Sequence, residues 1–217
     1  YSSSGTYNVT LKVSNSPSCF RLAPPKQVLV VPKPLADFTY PPIICENQTL
    51  VALQNSSSVP GGISTISNSW WQIAGNIVTT TNPNTFLNNA GILPVKLVAY
   101  TVEGCRSDTL KRNLLIHYSP IPKFSVGPLL CNNEIINFGD QSVMPVDSSN
   151  DKIITWSWYY DNVLSSNIPS PSAMFTTGIH TVKLVVESDK GCNAKFADST
   201  FTIYSKPNIS LSISDSC

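Results

Sequence analysis

The sequence predicts an all-β protein built from tandem β-sandwiches arranged in a row, and three observations predict it. Its six cysteines form two interleaved series with one spacing, and a spacing near 86 residues indicates a whole small domain per repeat. Short runs rich in β-branched and aromatic residues alternate with Pro, Gly, Asn and Asp. Third, no stretch carries a capped 3.6-residue apolar period. The two cysteine series are Cys19, Cys105 and Cys192, and Cys45, Cys131 and Cys217.

Other landmarks keep the same spacing. A glycine precedes a strand-like run at three positions, a proline recurs in phase, and two tryptophans are 87 residues apart. These landmarks are Gly5, Gly91 and Gly178; Pro34, Pro120 and Pro207; and Trp71 and Trp158. The chain therefore contains about two and a half copies of one module.

Four segments follow from this phase. Residues 1–33 supply the C-terminal strands of a preceding repeat, 34–118 and 119–206 are complete repeats, and 207–217 supply the first strand of a following repeat. The chain is thus expected to be part of a longer polypeptide. Proline restricts φ and favours an extended path, so the proline-containing junctions are expected to be short and semi-rigid.

Each complete repeat is predicted to hold six strands. In the repeat 119–206, the clearest strand places His180, Val182, Leu184 and Val186 on one face, as period 2 requires. In that repeat the strands are predicted at 122–127, 134–139, 152–160, 172–177, 179–188 and 195–204. In the repeat 34–118 they are predicted at 35–40, 48–54, 65–74, 77–80, 92–101 and 107–118.

The tryptophan strand separates core residues from surface residues. Trp71 and Trp158 are predicted to lie in the core, and the same phase turns Trp156 and Tyr160 inward. The opposite phase exposes Trp70 and Tyr159, which become candidate surface-contact residues. Exposed aromatic rings can stack on sugars, although packing against a neighbouring domain explains such rings equally well.

Three segments resemble the polycystic-kidney-disease (PKD) domain family. Gly5–Val13 (GTYNVTLKV) resembles its penultimate strand, Ile154–Trp158 (ITWSW) its tryptophan strand, and Ala36–Phe38 (ADF) its opening strand. The family's Asp-Phe-Gly-Asp-Gly loop is replaced here by 72–76 and 159–163. The resemblance therefore implies a PKD-like or, more broadly, immunoglobulin-like sandwich.

The cysteine placement is similar to that in modules of bacterial cell-surface proteins, including long repeat adhesins of gliding bacteria exported by the type IX system. That resemblance implies an extracellular stalk or adhesin on the bacterial outer surface. Its partners would be neighbouring repeats of the same chain, other copies in a filament, or surface glycans.

Composition narrows the functional classes. Net charge is +1 and only 12% of residues are charged, which does not favour nucleic-acid binding. No run of 18 apolar residues predicts membrane insertion. Two histidines and no nucleophile motif predict no enzyme and no cofactor. The loop carboxylates Asp147, Asp151 and Asp161 lack the spacing of a calcium loop, so no metal site is predicted.

Regularly spaced cysteines without Cys-x-x-Cys pairs favour structural disulfides outside the reducing cytoplasm. In a seven-strand sandwich, the turn before the second strand and the last hairpin turn lie at opposite poles. Cys45 and Cys131 precede second strands, whereas Cys105 and Cys192 lie in last turns. Disulfide geometry requires Cα atoms within about 7 Å, which favours Cys45 with Cys192 across a junction.

Two other pairings remain open. An intra-domain pattern would join Cys45 to Cys105 and Cys131 to Cys192, and a neighbour pattern would join Cys19 to Cys45. In the favoured pattern, Cys105 and Cys131 pair outside this sequence. The predicted function is a non-catalytic structural segment that forms a stiff stalk or filament. The alternative is a row of accessory spacer or carbohydrate-binding modules in a secreted polysaccharide hydrolase or protease.

Overall fold

The computed structural model describes residues 1–47, 50–128, 131–146, 150–193 and 195–213. Within these ranges the regular elements are β-strands and one short 3-10 turn at Pro60–Gly62. The all-β prediction is therefore confirmed. The chain divides into two compact units, and each is described separately below.

The first unit comprises Tyr1–Pro42, Leu50–Thr85 and Ile92–Leu114. Twelve strands lie wholly or mainly in it: β1 (Gly5–Val9), β2 (Lys12–Ser16), β3 (Cys19–Leu22), β4 (Lys26–Val30), β5 (Phe38–Thr39), β6 (Leu50–Ala52), β7 (Gln54–Asn55), β8 (Ile66–Ile73), β9 (Asn76–Val78), β10 (Asn84–Phe86), β11 (Gly91–Thr101) and β12 (Leu110–Ile116).

The first unit contains one four-stranded sheet in the order β12-β11-β8-β9. The short pairs β5-β7 and β6-β10 form the other ladders of the same repeat, while β1-β4 and β2-β3 form an antiparallel ribbon from residues 5–30. Trp71 on β8 is fully buried, and its ring meets the Phe38 ring edge-on at 5.3 Å. This places Trp71 in the core, as its phase predicts.

The second unit comprises Ile43–Thr49, Phe86–Gly91 and Leu115–Cys217. Its seven strands are β13 (Phe124–Val126), β14 (Ile135–Asp140), β15 (Ile153–Tyr160), β16 (Val163–Ser166), β17 (Ser172–Met174), β18 (Gly178–Ser188) and β19 (Phe196–Ile203). They form two sheets, β13-β14-β17 and β16-β15-β18-β19. This is the strand arrangement of an immunoglobulin-like sandwich.

One apolar core draws on both sheets of the second unit. Ile136 and Phe138 come from β14, whereas Trp158 comes from β15 and Val182 and Leu184 come from β18. Each of these five side chains is almost completely buried. Burying the alternate residues of two facing sheets is what makes the pair a sandwich rather than two independent ribbons.

The strand plan recurs at the predicted spacing. β8 and β15 both span eight residues at an offset of 87, and β11 and β18 both span eleven residues at the same offset. Two strands of the complete repeats, β10 and β16, lie outside the predicted strand ranges. β10 has three residues and β16 has four. They were missed because such short strands carry too few alternating residues to be recognised.

The two compact units differ in extent from the predicted repeats. Segments 43–49, 86–91 and 115–118 belong to the second unit, although their sequence lies in the repeat predicted for 34–118. The repeat boundaries at 34, 119 and 207 stay predictions.

Candidate functional site

A disulfide lies at the centre of the candidate site. Cys45 and Cys192 are bonded, with Cα atoms 5.6 Å apart and a sequence separation of 147 residues. Both cysteines belong to the second unit and both are buried. The favoured pairing is therefore confirmed, and the alternatives Cys45–Cys105, Cys131–Cys192 and Cys19–Cys45 are wrong.

The backbone around Cys45 is held by the residue that follows β12. Cys45 forms a parallel bridge with His117. The N–H of His117 donates to the carbonyl of Ile44 at 2.7 Å, and the N–H of Glu46 donates to the carbonyl of His117 at 3.0 Å. These bonds hold the backbone on both sides of Cys45.

A tight turn fixes Cys192. The backbone reverses at Gly191, whose φ of +77° lies in the left-handed region that glycine adopts without strain. The N–H of Ser188 donates to the Cys192 carbonyl at 3.0 Å, and the N–H of Cys192 donates to the Ser188 hydroxyl at 3.2 Å. Gly191 and Cys192 therefore form a Gly-Cys turn that presents the cysteine side chain.

Polar side chains lie near the backbone that holds the disulfide, and all of them except the exposed Lys195 are buried. His117 Nδ1 lies 2.7 Å from Asp151 Oδ2, with the Asp151 side chain only 1% exposed. Glu46 Oε1 accepts a bond from the N–H of Ser119 at 3.1 Å and lies 3.3 Å from Lys195 Nζ. We call these five residues, with Cys45 and Cys192, the junction cluster.

Two buried atoms in the junction cluster have no hydrogen-bond partner within the described part of the chain: the Ser119 hydroxyl and Asp151 Oδ1. The sequence did not predict this cluster, since His117, Glu46 and Asp151 are isolated polar residues far apart in the chain. The one available signal was a histidine at the end of an apolar strand.

Three further cysteines are free. Cys19 is exposed, and Cys105 and Cys131 are half-buried. Cys217 lies outside the described residues. Participation of these four cysteines in disulfides stays a prediction.

Trp158 lies in the core of the second unit. It is fully buried, and its indole Nε1 donates to the carbonyl of Ile168 at 3.0 Å. Trp156 and Tyr160 are half-buried and pack against the same core. Burial raises the pKa of Tyr160 to about 12.

The two candidate surface aromatics are both half-buried. Lys183 Nζ lies 5.8 Å from the Tyr159 ring centre and 4.4 Å from that of Phe196, so a cation covers part of this face. One repeat earlier, Gln72 occupies the position equivalent to Tyr159. An aromatic platform is thus not repeated from copy to copy.

His180 on β18 forms a second polar cluster with Asp161, which lies in the turn between β15 and β16. Its Nδ1 lies 2.8 Å from Asp161 Oδ2 and its Nε2 lies 2.9 Å from the Thr176 carbonyl. Because both partners are acceptors, they favour the doubly protonated ring. The hydrogen bond to Asp161 raises the pKa of His180, and the same bond lowers the pKa of Asp161.

Among the described ranges, no group of three or more His, Cys, Asp or Glu side chains could hold a metal ion. Asp151 and Asp161 each face a histidine, and Asp147 lies outside the described residues. The described part of the chain also contains no helix long and apolar enough to span a membrane.

No protein-family model matches the chain, and no curated protein matches its sequence. The chain is similar to the PKD1 domain of Vibrio anguillarum Epp, with 20% identity over 41% of this chain and 96% of that one, and a TM-score of 0.34. It is also similar to fibronectin(III)-like modules of Clostridium thermocellum CbhA, with 12% identity over 79% and 94% of the two chains and a TM-score of 0.38.

A third similarity is to three N-terminal domains of the bacteriophage RB49 outer capsid protein Hoc, with 12% identity over 79% of this chain and 58% of that one, and a TM-score of 0.38. TM-scores this low carry no inference about function. The assignment of an immunoglobulin-like sandwich therefore depends on the sheet order and core of the chain itself.

Proposed function

We propose that this chain is a non-catalytic structural segment of an extracellular protein on the bacterial outer surface, and that its repeats form a stiff adhesin-type stalk or filament. The observation that carries the proposal is the Cys45–Cys192 disulfide, which joins cysteines from two successive predicted repeats. In an array with the predicted boundaries, this bond links successive copies, so tension passes between them without depending on the linker.

The presence of a disulfide supports the extracellular part of the proposal. Structural disulfides persist in oxidising compartments and are rare in the reducing cytoplasm. A buried disulfide also protects the chain from proteases, because cleavage requires local opening of the backbone.

Small-angle X-ray scattering of the oxidised chain tests the proposed stiffness. We expect the distance distribution of an elongated, rigid particle in oxidising buffer. Reduction of the disulfide should broaden that distribution, because the covalent link between copies is then lost. A compact distribution that is insensitive to reduction would contradict the proposal.

One observation favours the accessory-module alternative. On the outer face of the second unit, Leu164 pairs with Tyr159 in the strand register. The side chains of Leu164 and Phe196 are both more than half exposed. A sugar could stack on this face. A glycan array with wild-type protein, Trp70→Ala and Tyr159→Ala tests it. Binding lost in Tyr159→Ala would support a carbohydrate-binding module, and no wild-type binding would remove that alternative.

A further inference from the structure

We infer that the surface formed by Cys131, Asn132, Tyr204 and Lys206 receives a following copy of the module and is closed by a disulfide from Cys131 to that copy's Gly-Cys turn. We call these four residues the socket surface. The inference rests on the proposed array function and identifies the partner, the contact residues and the covalent bond.

The backbone of the socket surface matches that of the occupied site around Cys45. Cys131 forms a parallel bridge with Tyr204, as Cys45 does with His117. The N–H of Asn132 donates to the Tyr204 carbonyl at 3.0 Å, the same distance as the bond from Glu46 to His117.

The two sites also share a hydrogen bond to the side chain of the residue that follows the cysteine. The N–H of Lys206 donates to Asn132 Oδ1 at 3.1 Å, and the N–H of Ser119 donates to Glu46 Oε1 at 3.1 Å. Lys206 follows Ser119 by 87 residues, and Asn132 follows Glu46 by 86. Cys131 is therefore held in the backbone setting of a cysteine that is bonded.

The two sites differ in how far their equivalent residues are exposed to solvent. His117 is 8% exposed and Ser119 is fully buried, whereas the equivalent Tyr204 is 71% exposed and Lys206 is exposed. Asp151 and Cys192, which contact the occupied site, come from the repeat predicted for 119–206. The equivalent cover for the socket surface would come from the next copy.

The complementary half of the contact is also preformed. Gly104 has a φ of +86° and Gly191 has a φ of +77°. The N–H of Thr101 donates to the Cys105 carbonyl at 3.0 Å, which matches the bond from Ser188 to Cys192. The turn that presents the thiol is thus built into each copy, whether or not the thiol is bonded.

The side-chain chemistry is compatible with a copy of residues 119–206 as the occupant. The Tyr204 hydroxyl can donate to a carboxylate in the position of Asp151, as the His117 ring does. Bond formation removes one proton from each thiol and two electrons in total. A small-molecule disulfide such as oxidised glutathione accepts these electrons and is reduced to two thiols.

The test uses the full chain extended after Cys217 by a second copy of residues 132–206, refolded with oxidised and reduced glutathione. The added copy contains a second Gly-Cys turn, the copied Cys192. Non-reducing peptide mapping should recover a peptide that links Cys131 to the copied Cys192, together with the original Cys45–Cys192 peptide. Alkylation of Cys131 by iodoacetamide should fall at least tenfold relative to the unextended chain.

Two results would overturn the inference: a peptide that links the copied Cys192 to Cys217, or a Cys131 thiol that stays fully alkylated. A matched control replaces the copied Cys192 by serine and separates docking from bonding. In that control, hydroxyl-radical labelling of Tyr204 should still fall several-fold, and unchanged labelling would count against the socket surface.

These outcomes are separable from failure of the proposed function. If scattering shows a flexible or compact chain but the Cys131 peptide is found, the socket is correct and the stiff stalk is not. If the chain is elongated but Cys131 stays free, the stiff stalk is correct and the socket is not.

Discussion

His117 Nδ1 and Asp151 Oδ2 lie 2.7 Å apart in the junction cluster, although the two residues are 34 positions apart in sequence. His117 follows the end of β12, and Asp151 lies two residues before β15. The pair therefore fixes two loops of the second unit against each other next to the disulfide. Its burial makes its disruption costly, because a buried polar group left without its hydrogen-bond partner is not solvated by water.

Asp151→Ala is expected to lower the free energy of unfolding by about 1–3 kcal/mol, because the buried His117 ring then loses its hydrogen-bond partner. Guanidinium unfolding followed by tryptophan fluorescence measures it. Asp198→Ala, at an exposed position on β19, is the matched control and should change stability by less than about 0.5 kcal/mol. Equal effects of the two variants would contradict the role given to the pair.

Removing the disulfide with the double variant Cys45→Ala/Cys192→Ala is expected to destabilise the chain by about 2–5 kcal/mol. Replacing both cysteines avoids a stray thiol that could exchange with the free ones. The same denaturant experiment measures the loss, and the control is Cys19→Ala, which removes an exposed free thiol. A double variant as stable as this control would show that the bond constrains little.

Trp158→Ala is expected to cost about 3–5 kcal/mol, because it removes a fully buried ring and leaves a cavity between the sheets of the second unit. Trp158→Phe should cost less, since it keeps part of the ring volume. Phe196→Ala, at a side chain that is 58% exposed, serves as the control. Thermal unfolding followed by circular dichroism ranks the three variants, and a Trp158→Ala protein as stable as Phe196→Ala would place the core elsewhere.

The His180–Asp161 pair predicts a pH-dependent contribution to stability. Because the pKa of His180 is raised above 6.5, its contribution is fully present below pH 6.5 and is lost as the pH rises through the raised value. Because the pKa of Asp161 is lowered below 3.8, the contribution of its carboxylate is present above pH 3.8 and is lost as the pH falls through the lowered value.

The measurement is the difference in unfolding free energy between the natural chain and His180→Gln from pH 3 to pH 9. We expect a maximum between about pH 4 and pH 6.5, and a decline on both sides. NMR titration of the His180 ring provides an independent check of the raised pKa. A difference that stays constant over this range would contradict the assignment.

The sequence by itself determined the repeated plan, because a period of 86 to 87 residues is visible in cysteines, glycines, prolines and tryptophans alike. It also determined the inward phase of Trp71 and Trp158, since period 2 along a strand allows only two faces. Strand polarity was enough to favour Cys45 with Cys192 over its alternatives. These inferences depend on local geometry or on spacing, which a single chain displays directly.

Only the tertiary structure decided the junction cluster and the strands β10 and β16. His117, Asp151, Glu46 and Lys195 meet because loops distant in sequence converge around one disulfide, and no local pattern encodes such a meeting. The short strands exist because a neighbouring strand supplies hydrogen bonds to them. Contacts of this kind are set by the closure of the sheets, which explains why their residues look ordinary until the chain is folded.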